Sequence, residues 1–299
     1  MIHLVNKKEG ETPLAALERL CRDHGIYEKV TYAGRLDPMA SGLLLVLSGD
    51  DVYKKDSMLE HTKTYDFTIL LGVATDTGDI LGKVTEVDSE ILRSASTKTL
   101  SERSSVLLTG NFPLREKRFG QTVSESVSVF AQQEKKMEKT FCLAPEKIKK
   151  VVESFAKTYN QPYPLYSSKT VDGKPLWTYA REGIKPDVVP THKVTISRCV
   201  LHGIESISAS ELLEQIHVRI EPVVGDFRQE EILKLWDKNI GKSKNTFIQL
   251  NCTADVSSGT YIRQLAVDIG AKLGVPALAY TIHRTKIGKY DMKDALPEL

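Results

Sequence analysis

Residues 32–44 read Tyr-Ala-Gly-Arg-Leu-Asp-Pro-Met-Ala-Ser-Gly-Leu-Leu, and an aliphatic run continues through Leu47. The reading of this stretch decides the fold. Gly34 and Gly42 permit backbone conformations closed to other residues. Pro38 fixes its own φ and pushes Asp37 towards an extended geometry. The run from Leu43 to Leu47 has no polar face, so it belongs in a strand buried on both sides. The stretch therefore predicts a tight loop that presents one acid at the edge of a buried strand. Taken alone, such an acid is more often structural, because Asp-Pro starts turns and Asp caps the element that follows.

Outward from this loop, residues 2–6 read as a short strand. Thr12-Pro13 reads as an N-cap with proline in the first helical turn, followed by a face of Leu14, Leu17, Leu20 and Cys21 and a stop at Gly25. Residues 65–72 are rich in strand formers. Residues 88–142 change character, with Ser, Thr, Lys and Glu dominant, and read as a surface insertion; Arg115, Lys117 and Arg118 would make it basic in part. A helix starts near Pro145, with Ile148, Val151, Val152 and Phe155 on one face. Residues 193–205 and 216–224 read as paired strands separated by a short polar helix at 208–215. A second, smaller insertion at 226–245 reads as helical around Ile232, Leu233, Leu235 and Trp236. A strand follows at 247–254. Ser257 to Thr260 then caps a helix whose Ile262, Leu265, Ala266, Ile269 and Leu273 face the core, with Gly274 at its end and a last strand near 286–292. Strands and helices mix without regular alternation, which favours an α+β fold around a mixed, mainly antiparallel sheet with flanking helices and loops.

The chain has 299 residues, 41% hydrophobic and 27% charged, with a formal net charge of +2. That balance does not announce a nucleic-acid partner, but a local basic groove is sufficient for one. Cys21, Cys142, Cys199 and Cys252 are widely spaced and form no Cys-x-x-Cys pair, which argues against a zinc site or a disulfide framework. No apolar window is long enough for a signal peptide or a membrane span. A soluble, cytoplasmic monomer is expected; a mitochondrial or nuclear address stays open.

Three further segments carry chemistry-bearing residues. Lys63-Thr64-Tyr65 leads into a strand, which is ordinarily a packing position for the tyrosine. Gly259-Thr260-Tyr261-Ile262-Arg263 places an arginine in a first helical turn, where the helix dipole prefers acids; a cation there calls for an anion nearby. Residues 161–183 interleave aromatics, hydroxyls and cations, as a surface that stacks bases and holds phosphates would. A proline-rich loop before a short helix would look the same.

Together these segments resemble the TruB family of pseudouridine synthases, in order and over nearly the whole chain. The family pattern Gly-x-Leu-Asp-Pro-x-Ala-x-Gly-Leu-Leu is met at Gly34 to Leu44. The Lys-x-Tyr strand and its Thr-Asp-Thr-rich tail are met from Lys63 to Gly82, and a Tyr-Ser segment ending in Ala-Arg-x-Gly from Tyr166 to Gly183. Gly-Thr-Tyr-Ile-Arg is complete at 259–263, and Lys-x-x-Gly-x-Thr is met at Lys7, Gly10 and Thr12. The resemblance implies the pseudouridine synthase fold in a single catalytic domain over 1–299, interrupted by the two insertions. Because the sequence stops soon after the last strand, the RNA-binding PUA domain that often follows is not expected.

By the same resemblance Asp37 is the catalytic aspartate, Tyr65 lies against the target base, and Arg263 pairs with the aspartate. Tyr261 and Ile282 match positions that wall the pocket. Lys7, Tyr32, Arg35, Tyr166, Lys169, Arg181 and Lys193 are expected to hold the RNA. The reaction would convert uridine to pseudouridine in the T-loop of tRNA, at position 55 in standard tRNA numbering. It breaks an N–C glycosidic bond, turns the uracil and forms a C–C bond, so no atoms are gained or lost and no cofactor or metal is expected. Asp37 would act ionised, as a nucleophile or as the base that removes the C2′ proton, and a neighbouring arginine favours that state. Tyr32 stands where the family usually has histidine, and Arg35 where a small residue is usual. These departures keep open a ribosomal or messenger RNA target within the same chemistry. A different class, a non-catalytic RNA chaperone or assembly factor on the same fold, would not need Asp37 at all.

Overall fold

The computed structural model describes residues 1–88, 144–184, 186, 188–243 and 245–297. The expected insertion at 88–142 falls, but for its first residue, outside the described residues. The elements run β1 (Ile2–Lys7), α1 (Pro13–His24), β2 (Val30–Ala33), β3 (Ala40–Ser48), α2 (Lys55–Leu59), β4 (Lys63–Leu71), β5 (Val73–Thr75) and β6 (Val84–Val87). They continue with α3 (Pro145–Glu153), β7 (Thr158–Pro162), β8 (Thr170–Val171), β9 (Lys174–Pro175), α4 (Leu176–Glu182), β10 (Thr191–Ser208), α5 (Ala209–Ile220) and α6 (Gln229–Ile240). The last are β11 (Thr246–Val256), α7 (Ile262–Leu273), β12 (Ala277–Ile287) and β13 (Tyr290–Asp291).

One nine-stranded sheet organises the fold, in the order β1-β3-β12-β4-β11-β10-β7, with β2 on β3 and β13 on β12. Every pairing is antiparallel except β12 with β3, which is parallel and aligns Ile282 with Ala40 and Arg284 with Gly42. The fold is thus α+β with a mixed, mainly antiparallel sheet. Side chains alternate across a strand, and β4 shows the consequence. Tyr65, Phe67, Ile69 and Leu71 join one core with α3 and α7. Leu70, on the opposite face, joins a second core with α5 and α6. On β3, Leu44 and Val46 pack with Leu17 and Leu20 of α1, while Leu43, Leu45 and Leu47 pack on the other side with Ile287. Burial on both faces is why that strand is uniformly aliphatic.

Several local expectations are corrected. No strand forms at 216–224: residues 216–220 end helix α5 and 221–224 are a turn and loop. Leu212, Ile216 and Ile220 recur every four residues and are fully buried, and Ile216, Val218 and Ile220 imitate strand alternation. The last long strand begins at Ala277, well before 286, and only Tyr290–Asp291 lies beyond it in β13. Its Ala-Leu-Ala start has little strand propensity and is held by central position in the sheet. Leu14 points outward at 54% exposure, and Ala16 takes the core position. No side chain of 257–260 caps α7; its N-cap is Tyr261, whose N–H donates to Gln161 Oε1 at 2.9 Å. The helix expected within 226–245 is present as α6, and its Ile232, Trp236 and Ile240 are fully buried in the second core.

Candidate active site

Gly34 and Gly42 adopt φ of 87° and 103°, bracketing the acid loop as their sequence positions predict. Gly42 is required for a second reason: it pairs with Arg284 across the parallel strands, and a Cβ there would collide with the Arg284 backbone. Ala40 N–H donates to Asp37 O at 3.0 Å, closing a turn with Pro38 inside it, and Gly10 N–H donates to Pro38 O at 2.9 Å. Lys7 holds the loop from behind. Its Nζ donates to Lys8 O (2.9 Å), Pro38 O (3.2 Å) and Ala40 O (2.5 Å). Lys7 is 0% exposed, which corrects its expected place on the RNA-facing surface: its ammonium hydrogens are spent on main-chain carbonyls. Burial lowers its pKa to about 8, against the opposing pull of Glu11, Asp37 and Glu9.

The Asp37 carboxylate, 39% exposed, faces a cleft of ≈ 750 Å³. Arg263, only 4% exposed, grips it side-on, with Nε to Oδ2 at 2.8 Å and Nη2 to Oδ1 at 3.2 Å. Such two-point pairs are stronger and more directional than single contacts. The same guanidinium donates to Thr77 O (2.6 Å) and Tyr166 O (3.1 Å) and lies 3.6 Å from Asp79 Oδ2. Burial works against the charge of Arg263, yet Asp37 and Asp79 together raise its pKa above the ordinary arginine value. Asp79 is itself buried; it accepts from Thr77 Oγ1 (2.6 Å) and Leu81 N–H (3.0 Å). Burial pushes its carboxyl pKa up, Arg263 pulls it down and Asp37 adds to the rise.

Tyr65 is 8% exposed and lines the same cleft. Its hydroxyl accepts from Arg284 Nη1 at 3.3 Å. Arg284 is buried behind it and also donates to Leu43 O (2.8 Å) and Arg35 O (3.2 Å), on either side of Asp37. Arg284 Nη2 is buried without a partner among the described residues. Ile282, Tyr261, Tyr166, Tyr32, Arg35 and Arg181 all line the cleft. Tyr261 meets Tyr163 edge-on at 5.9 Å between centroids, and Tyr163 stacks on His192 at 4.2 Å. Arg35 is exposed and donates to Ser168 Oγ at 2.9 Å. Lys169 sits over the Tyr163 ring at 5.3 Å, and Lys193 is exposed on β10; neither lines the cleft.

Asp37, Tyr65 and Arg263, separated by up to 226 residues, thus converge because Tyr65 and α7 share one face of the sheet and the Asp37 loop enters β3 beside β12. The reading of the sequence missed Asp79, Arg284 and Arg228. Asp79 had a signal, as a second acid in the Thr75-Asp76-Thr77-Gly78-Asp79 turn; Arg284 and Arg228 had none. Among the described residues no three His, Cys, Asp or Glu side chains are grouped to hold a metal ion, and no helix is long and apolar enough to cross a membrane.

The arrangement is a carboxylate held in a two-point pair by a buried arginine at the edge of a cleft lined by tyrosine rings. The model of the TruB family pseudouridylate synthase N-terminal domain matches residues 22–108 and 116–225, and the chain belongs to that family. It is 29% identical over 293 residues to tRNA pseudouridine synthase B of Endomicrobium trichonymphae, covering 98% of this chain and 87% of the relative. It is 28% identical over its full length to the protein of that name from Desulfotalea psychrophila, covering 86% of it. Among solved structures, a chain of the Cbf5-Nop10-Gar1 complex aligns with a TM-score of 0.47 at 15% identity, over 97% of this chain and 49% of that one. The present chain spans about half of that one's length, and a likeness of this degree adds nothing to the assignment.

Proposed function

We propose that this chain isomerises uridine to pseudouridine in tRNA, at the T-loop uridine of position 55, as a cytoplasmic monomer. The observation that carries the reading is the Asp37–Arg263 pair at the cleft, with Tyr65 on its wall. The names of the relatives, all tRNA pseudouridine synthase B, support the choice of RNA.

In this reading the target uridine leaves its stack, which costs a few kcal/mol, and enters the cleft. Stacking on the Tyr65 ring returns about 1–3 kcal/mol, and Ile282 and Tyr261 close the pocket so that the detached uracil does not escape. Asp37 acts as an anion, either attacking the nucleotide or taking the C2′ proton, and Arg263 fixes the direction of its oxygens. The N–C bond breaks, the uracil turns, and a C–C bond forms with no change in composition. Arg35, Arg181, Lys169 and Lys193, with Tyr32 and Tyr166, form the RNA-facing side.

The test is incubation with a T-arm transcript, read by mass spectrometry and carbodiimide primer extension; a folded protein that yields no pseudouridine on tRNA or total RNA sinks the reading. Exposed Arg35 at the cleft favours a second reading, a ribosomal or messenger RNA target. Mapping pseudouridines in cells lacking the gene separates the two.

A further inference from the structure

The segment 226–245 matches none of the motifs above, yet the loop that enters it reaches the cleft. This loop joins α5 to α6, and Asp226, Phe227 and Arg228 line the pocket. It is firmly built. Gln229 Nε2 donates to Val223 O (3.0 Å) and Gly225 O (2.6 Å), and Phe227 N–H donates to Gln229 Oε1 (2.9 Å). Val224 N–H donates to Gly10 O (3.0 Å), and Gly10 N–H in turn to Pro38 O (2.9 Å), so the loop is tied to the acid loop through one residue.

Arg228 stands at φ 67°, in the left-handed region that favours glycine. Its side chain is 19% exposed. Nη1 donates to Asp76 Oδ2 at 2.9 Å and to the Tyr166 hydroxyl at 2.6 Å, and the group lies over the Tyr166 ring at 4.6 Å. The main-chain carbonyl of Tyr166 accepts from Arg263 Nη2, the nitrogen that also bonds Asp37. A continuous path of contacts therefore runs from Arg228 through Tyr166 and Arg263 to Asp37.

We infer that Arg228 is a positioning residue for the reaction: it anchors Tyr166 by stacking and hydrogen bond, and thereby holds the carbonyl that orients Arg263 against Asp37. This rests on the pseudouridine synthase reading and gives the helical pair α5–α6 a role in it, as the element that closes one wall of the site. The sequence has an arginine where a glycine would suit the backbone, which fits a side chain kept for its contacts.

Arg228→Gly is the informative variant, because glycine accepts that φ and the substitution removes the side chain alone. On the T-arm transcript we expect kcat to fall about 10- to 100-fold, with KM for RNA within about twofold of wild type and the melting temperature little changed. Arg228→Lys, which keeps a cation beside Asp76, should recover part of the loss. A separate readout does not depend on turnover. In 15N-labelled protein the Arg263 Nε–H resonance should shift or broaden in Arg228→Gly and stay in place in Lys234→Ala, an exposed control on α6. An unmoved resonance, an unchanged kcat, or a loss confined to KM overturns the inference. An inactive wild type refutes the proposed activity instead, and the resonance then decides on Arg228. If Arg228→Gly does not fold, Tyr166→Phe removes the hydroxyl that accepts from Arg228 and is read by the Arg263 resonance alone: a shift supports the inference and an unmoved resonance overturns it.

Discussion

At the scale of single residues, Asp37 and Lys7 show opposite outcomes of burial. Asp37 keeps part of its carboxylate open to the cleft and has its geometry set by Arg263. Lys7 is closed off and holds the loop that presents Asp37. Its pKa, lowered to about 8 by burial, has a consequence for stability. Between about 8 and the ordinary lysine value of 10.5 the unfolded chain binds a proton that the folded chain does not. Stability attributable to Lys7 therefore rises with pH through that window, by up to about 3 kcal/mol. Urea unfolding of wild type and Lys7→Met at about pH 7.5 and about pH 10 checks it: wild type should gain on the variant at the higher pH. Lys63, lowered to about 8 by burial and Arg284, is present in both proteins and cancels. A gap independent of pH contradicts the assignment. The motifs of the sequence made Asp37, Tyr65 and Arg263 legible as a set. Spacing alone could not say that Lys7 points inward, since a lysine beside a Gly-x-Thr turn carries no mark of its burial.

At the scale of elements, α6 is the clearest case of structure adding to sequence. The apolar residues Ile232, Leu233, Leu235 and Trp236 were enough to read a helix, but not to read where it packs. Trp236 is fully buried in the second core, and its Nε1–H donates to Ile80 O at 3.2 Å. Trp236→Ala should then cost about 3–5 kcal/mol, measured by urea unfolding; a change well under 1 kcal/mol would mark α6 as an appendage rather than part of the fold. The misread stretch at 216–220 teaches the same lesson from the other side. His217 and Val218 have little helix propensity, but the helix is already started by the Ser208 cap and the Leu- and Glu-rich turn after it, and burial of Ile216 and Ile220 carries it through. The parallel contact of β3 with β12 was equally invisible, because pairing between strands over 240 residues apart leaves no local trace.

At the scale of the whole molecule, a net charge of +2 has to serve an RNA substrate through a local surface. Arg35, Lys169, Arg181 and Lys193 are exposed around or near the cleft, so binding should weaken steeply with salt. If each meets one phosphate of single-stranded character, the slope of log K against log salt is about −3, and Lys193→Ala lowers its magnitude by about 0.7. Filter binding across a salt series measures both, and a flat response contradicts a phosphate-led interface. The central claim is narrower: Asp37, held by Arg263 beside Tyr65, carries out the isomerisation. The most direct measurement compares wild type with Asp37→Asn, an isosteric change that keeps the fold and removes the anion, on a T-arm transcript assayed for pseudouridine at position 55. Conversion by wild type and none by a folded Asp37→Asn is the predicted result; equal conversion by the two would contradict the account.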